Sequence, residues 1–193
     1  MERSIMKENV INKAVIFATK AHEGTMRKGS KIPYIIHPLE TGVIVSGMTT
    51  DESVIAAAIL HDVLEDTPVT YEQLFQEFGT IAEFVRLESE NKRRDQLPED
   101  TWKIRKQETI NHLKNEPKIE VKMIALADKL SNIRSIYRDY QVLGERLWER
   151  FHEKHKSEQG WYYKELLNVL KDLEDTLEYQ EYKVLVEHVF GEV

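Results

Sequence analysis

No cysteine occurs among the 193 residues, so disulfides, thiolate-ligated zinc and iron–sulfur clusters are excluded. No apolar run approaches the ~20 residues that span a bilayer. No secretory leader is expected either, because Met1-Glu2-Arg3-Ser4 is followed by no apolar core. These absences together lead to the expectation of a cytoplasmic protein without membrane contact. The chain also lacks positive charge: 27 Lys and Arg against 34 Asp and Glu leave a formal net charge of −7, which argues against general binding to DNA or RNA. Internal repeats, low-complexity tracts and period-two alternation are missing too, so nothing in the pattern argues for strands.

What is present is an ordinary globular composition, 41% hydrophobic and 32% charged, in a chain long enough for one domain with a proper core. Val10, Ile11, Ala14, Val15, Ala18 and Ala21 recur at spacings of three and four, predicting a helix over roughly residues 7–23. Gly24 and Gly29 bracket a basic loop, and Pro38 suits the first turn of a helix running towards Gly47. Thr49 and Glu52 read as a capping box. They open a helix over about 51–64 that is apolar nearly all round, hence buried and central. Thr70 with Gln73 and Thr80 with Glu83 mark two more helix starts, separated by Gly79 as a stop. Residues 89–100 read as a polar loop containing Pro98. Asp100 or Thr101 then caps a helix to about Lys114, and a long helix follows over roughly 118–138. Gly144 and Gly160 punctuate the remainder, which ends in helices near 161–178 and 180–189.

The chemistry is concentrated in Ile59-Leu60-His61-Asp62-Val63-Leu64-Glu65-Asp66-Thr67. An imidazole and a carboxylate emerge at the end of a buried helix, a costly position unless something satisfies them, and a metal would. His37 and Asp128 stand in contexts that could complete the set. Two imidazole nitrogens and two carboxylate oxygens suit manganese, iron or zinc better than magnesium or calcium. Glu65 and Asp66 fall where a helix C-terminus disfavours acids, which favours a functional reading. Asp128 allows two readings from its sequence alone: a metal ligand, or a surface partner of Lys129 or Arg134. Against the acidic background, basic residues gather at Arg27-Lys28 with Lys31, at Lys92-Arg93-Arg94, and at Lys103 with Arg105-Lys106. Such local gatherings leave room for a phosphorylated small molecule.

Several segments together resemble the HD (His–Asp) metal-dependent phosphohydrolases, and among them the hydrolase domain of RelA/SpoT proteins and the small alarmone hydrolases. They are Arg27-Lys28-Gly29, Pro33-Tyr34-Ile35-Ile36-His37-Pro38, His61-Asp62-Val63-Leu64-Glu65-Asp66-Thr67, Phe78-Gly79 and Ala127-Asp128-Lys129-Leu130-Ser131-Asn132-Ile133-Arg134. The resemblance implies an all-α fold, a single HD-domain helical bundle over residues 1–140 with a C-terminal helical extension over 141–193 packed on it. It further implies one divalent metal ion, usually manganese, held by His37, His61, Asp62 and Asp128. The implied reaction is hydrolysis of the 3′-pyrophosphate of (p)ppGpp, with Glu65 and Asp66 positioning or deprotonating the attacking water. Arg27 would lie against the guanine, Lys28 near the nucleotide, Asn132 at the ribose and Lys92 near the phosphates. The expected partner is thus a small nucleotide, and the oligomeric state is left open. Two segments depart from the RelA/SpoT pattern: Leu87-Glu88-Ser89-Glu90-Asn91-Lys92, and the stretch through Trp102-Lys103-Ile104-Arg105-Lys106. The alternative is therefore the same metal chemistry on another nucleotide or phosphorylated cofactor. An intact acidic pair weighs against a non-catalytic sensor. The C-terminal aromatics Trp148, Trp161, Tyr162 and Tyr163 read as packing.

Overall fold

A computed structural model describes residues 9–192. Asn9 caps α1 (Val10–Ala21), its side chain accepting from the backbone N–H groups of Ile11 and Asn12; residues 7 and 8 of the expected first helix lie outside the described residues. The following loop folds back on itself through Arg27 N–H to Ile32 O (2.8 Å) and Tyr34 N–H to Thr25 O (2.9 Å). This makes the isolated bridge Met26–Pro33. Among the described residues there is no strand, and the fold is all-α. Gly29 turns this loop at φ +73°, where a Cβ would meet Arg150 Cδ at 3.0 Å.

α2 (Ile36–Met48) carries His37 and Pro38 in its first turn. α3 (Glu52–Leu60) is the buried centre, with every residue from Val54 to Leu60 in the core, packed between α1, α2, α6 (Ile81–Glu88) and α8 (Ile119–Leu143). Its alanines and Gly42 of α2 let neighbours come close: a Cβ on Gly42 would stand 2.5 Å from Ile59 Cγ1.

Several boundaries differ from expectation. Asp51, not Thr49, caps α3, accepting from Ser53 N–H at 2.8 Å, while Thr49 Oγ1 accepts from Asp51 N–H. α3 stops at Leu60 rather than running on to 64. There the His61 Nδ1–H donates to Ala58 O at 2.8 Å, the carbonyl that the Asp62 N–H would take in a continuing helix. A tight corner results, and a separate turn, α4 (Val63–Asp66), follows it. α5 (Tyr71–Phe78) has the expected Thr70–Gln73 capping box and the Gly79 stop. Thr80 precedes α6 without a side-chain cap. Pro98 lies inside no loop; it starts α7 (Pro98–Asn115), as a residue lacking the N–H that the first turn does not need.

α8 runs to Leu143 and a 3-10 segment Gly144–Arg150 follows. α9 (Lys156–Val169) and α10 (Leu177–Phe190) then cover α7 and α8. Gly160 does not punctuate; it sits within α9 because a Cβ there would press on the Phe190 ring at 3.1 Å. Tyr163 stacks on both Tyr182 (6.1 Å, 28°) and Phe190 (5.5 Å, 27°). Arg134 ties α8 to Glu40 of α2 and Glu181 of α10.

Candidate metal centre and adjoining pocket

Three segments meet at the centre of the molecule: the first turn of α2, the α3–α4 corner and the middle of α8. They bring His37, His61 and Asp128 to within 4.8 Å of one another through one donor atom each. His37 Nε2 lies 3.1 Å from Asp128 Oδ1, and His61 Nε2 lies 3.7 Å from the same oxygen. Asp62 Oδ2 stands 2.9 Å from His61 Nε2 and 3.5 Å from His37 Nε2. All four side chains are buried. His61 is fully enclosed, and its Nε2 has no hydrogen-bond partner among the described residues. The 2.9 Å approach of Asp62 is thus not a hydrogen bond. A nitrogen lone pair and carboxylate oxygens aimed at one point without bonding each other form a donor set that fits a cation.

The tautomers agree. His61 donates its Nδ1 proton to Ala58 O. His37 Nδ1 lies 2.8 Å from Ser131 Oγ, and that hydroxyl gives its only proton to Glu40 Oε2 at 2.7 Å. Ser131 must therefore accept from His37 Nδ1–H, and Arg134 Nη1 holds the other Glu40 oxygen at 3.1 Å. Each imidazole therefore carries a proton on Nδ1, which makes Nε2 the ligand atom of the neutral ring. Burial works against ionising Asp62 and Asp128, yet their cationic and imidazole neighbours hold both carboxyls below the usual range. Burial likewise works against charging His61, but Asp62 and Asp128 outweigh it and raise its proton affinity well above that of an ordinary imidazole. A proton and a divalent cation therefore compete for the same nitrogen.

The acidic pair lies outside this donor set. Glu65 Oε1 accepts from Glu90 N–H at 2.5 Å and Oε2 meets Lys92 Nζ at 2.8 Å, while Lys92 also reaches Asp66 Oδ1 at 3.3 Å. Burial raises the Glu65 carboxyl although Lys92 opposes it. Tyr34 joins the two groups, donating to Asp62 Oδ2 at 2.5 Å and lying 3.3 Å from Asp66 Oδ2. Its role was not legible from its position three residues before His37.

A cavity of about 600 Å³ opens beside the centre, within the range of small-molecule sites. Arg27, Lys28, His37 and Asn132 belong to its wall, whereas Glu65, Asp66 and Lys92 do not. Asn132 bridges, its Nδ2 donating to Asp128 Oδ1 at 2.6 Å and its Oδ1 accepting from Arg27 Nη2 at 3.3 Å. Lys28 is exposed, with Nζ 5.8 Å from the Phe151 ring centroid. Asp128 is buried rather than at the surface, with Oδ1 facing the imidazoles and Oδ2 paired with Lys129. Of the other basic gatherings, Arg93 pairs with Glu108 and Lys103 with Glu158, and Glu90 gathers Arg105 and Lys106. The cavity wall also takes Lys106 of the third basic gathering, together with Trp102, Lys129, Tyr162 and Tyr163, which the sequence pattern alone did not single out as site residues. Burial pushes the Glu88 carboxyl up to about 8, against the opposing pull of Lys129.

An all-helical domain that draws histidines and aspartates from three distant segments to one buried point defines a metal-binding class. The sequence model described as the HD domain matches residues 14–160, and the chain belongs to that family, whose domains bind divalent metals. The bifunctional (p)ppGpp synthase/hydrolase SpoT of Escherichia coli K12 is 37% identical over 130 residues, 65% of this chain and 18% of that protein. The chain spans under a fifth of the length of the curated relatives it matches. Among solved structures, a metazoan ortholog of SpoT described as hydrolysing ppGpp superposes with a TM-score of 0.71 at 25% identity, covering 95% of both chains. The crystal structure of lmo0812 from Listeria monocytogenes EGD-e gives 0.69 at 30% identity, covering 83% of this chain and 97% of that one.

Proposed function

We propose that this chain is a metal-dependent hydrolase that removes the 3′-pyrophosphate of (p)ppGpp, yielding GDP or GTP and pyrophosphate, in the cytoplasm. The observation that carries the reading is the convergence of His37, His61, Asp62 and Asp128 with the unpartnered His61 Nε2 at its centre. The SpoT likeness supports the choice of substrate. A divalent ion in that donor set, manganese in this reading, would supply Lewis acidity and a water acidified towards neutral pH.

The remaining chemistry belongs to the chain. Glu65, raised by burial, accepts the proton of the attacking water. Asp66, tied to the centre through the Tyr34 hydroxyl, orients that water. Lys92 offsets the charge of the pair and favours departure of the anionic pyrophosphate. Arg27 offers a planar guanidinium to the guanine, Lys28 meets the nucleotide at the rim, and Asn132 meets the ribose. Residues 1–140 carry this machinery, and 141–193 form an extension over it.

Metal-loaded protein incubated with ppGpp is expected to release pyrophosphate. Release of monophosphate alone, or no turnover while other nucleotides react, rejects the assignment. Hydrolysis of another phosphorylated nucleotide is the second reading. It is favoured by the departing 87–106 segment, which sends Trp102 and Lys106 into the cavity wall, and a nucleotide panel separates the two.

A further inference from the structure

The cavity wall nearest Asp128 gathers more hydrogen-bond donors than acceptors. Lys129 of α8 and Lys106 of α7 both line it, with side chains only 15% and 19% exposed. Tyr162 of α9 closes the same wall at 3% exposure, and its buried hydroxyl has no hydrogen-bond partner among the described residues. Lys106 Nζ stands 5.0 Å from the Tyr162 ring centroid. Arg105, Lys106 and Lys129 share two carboxylates: Glu90, which meets Arg105 and Lys106, and Asp128, which meets Lys129. The acids that line the cavity, Glu40 and Asp139, are paired with Arg134 and Arg150, and burial pushes nearby Glu88 up to about 8. Three buried cations and an orphaned hydroxyl against two carboxylates leave a deficit of negative charge and of acceptor oxygens. A cation at the neighbouring donor set would draw on Asp128 and deepen that deficit at Lys129.

We propose that Lys106, Lys129 and Tyr162 form a phosphoanion subsite beside the metal centre, which holds the phosphate group the enzyme splits off. This deepens the proposed function and rests on it for the identity of the group, though not for the presence of an anion site. It also gives the C-terminal extension a part in recognition, because Tyr162 arrives on α9. A phosphoanion offers several acceptor oxygens, and cationic donors bind it strongly by charge-assisted hydrogen bonds. The Tyr162 phenol stays a donor at all working pH values because burial raises it. Lys106 is lowered by the same desolvation, so an arriving anion restores the charge that burial disfavours.

Inorganic pyrophosphate is the probe. Titration calorimetry on manganese-loaded full-length protein should show binding that weakens about fivefold to tenfold in Tyr162→Phe, the loss of one hydrogen bond. Lys106→Gln should weaken it about tenfold or more. Tyr162→Phe keeps the ring that packs at 6.2 Å on Trp102 and 5.8 Å on Tyr163, and in Lys106→Gln Glu90 retains Arg105, so both should fold and load metal as the parent does. Pyrophosphate should also inhibit nucleotide hydrolysis competitively, with an inhibition constant that shifts by the same factor. Unchanged affinity in both variants, no binding by the parent, or non-competitive inhibition overturns the subsite. Variant-sensitive pyrophosphate binding without ppGpp hydrolysis supports the subsite and sinks the substrate assignment. Hydrolysis of ppGpp with variant-insensitive pyrophosphate binding does the reverse.

Discussion

At the residue scale the centre depends on which nitrogen of each imidazole carries the proton. Ser131, between His37 Nδ1 and Glu40, decides this for His37. Ser131→Ala should weaken metal affinity about 10–100-fold, as loss of such supporting partners does, with little change in thermal stability; a competition titration with a chromophoric chelator measures it. The proton on His61 sets a pH dependence. Its affinity is raised in the folded protein by Asp62 and Asp128, so below that raised value a proton must leave before a cation binds. Metal affinity should therefore fall as pH falls, by about tenfold per unit for one displaced proton. Calorimetry in buffers of different ionisation enthalpy should detect that proton's release, and binding independent of pH between 6 and 8 would contradict the competition. The four residues His37, His61, Asp62 and Asp128 were legible because each stands in a short motif with an apolar context. Tyr34 and Ser131 were not, because a tyrosine in a loop or a serine in a helix takes its meaning from a partner 28 or 94 residues away.

At the scale of elements, one carboxylate gathers several groups where the link between α6 and α7 meets α7. Glu90 receives Arg105, Lys106 and Thr109 from α7, and although burial opposes its ionisation these cations hold it down, to about 2. A carboxyl depressed in the folded state contributes stability that is fully present above its unfolded value near 4.5 and is lost as pH falls towards 2. Glu90→Gln should cost on the order of 2–3 kcal/mol at pH 7 and progressively less as acid is added, as denaturant titrations at several pH values would record. A constant penalty from pH 7 to 3 would place its origin in packing instead. Helix identities were readable from their three-to-four spacing, while several ends were not. The break after Leu60 depends on an imidazole competing for a backbone carbonyl, and the placement of Gly160 inside α9 depends on the Phe190 ring beyond it. The first competitor is the next residue in the chain, whereas the second lies thirty residues away.

At the scale of the whole molecule, the candidate ligands come from α2, the α3–α4 corner and α8, so an ion there cross-links the core. Saturation at a hundred times the dissociation constant should add about 2.7 kcal/mol, and the melting temperature should rise by roughly 5–10 °C in a domain of this size. A chelator should reverse the rise in differential scanning fluorimetry. The shift should vanish in Asp128→Asn if that residue is a ligand.

By itself the sequence determined an all-helical chain, a buried central helix, and an imidazole–carboxylate step at that helix's end. Those follow from local periodicity and from the cost of burying charge. Only the tertiary structure decided that Asp128 both faces the imidazoles and pairs with Lys129, that a tyrosine lies between Asp62 and Asp66, and that α7 and α9 bring Lys106 and the unpartnered Tyr162 hydroxyl to one cavity wall. Each of these depends on distances between residues far apart in the chain, and such distances exist only once hydrophobic burial has packed the helices together.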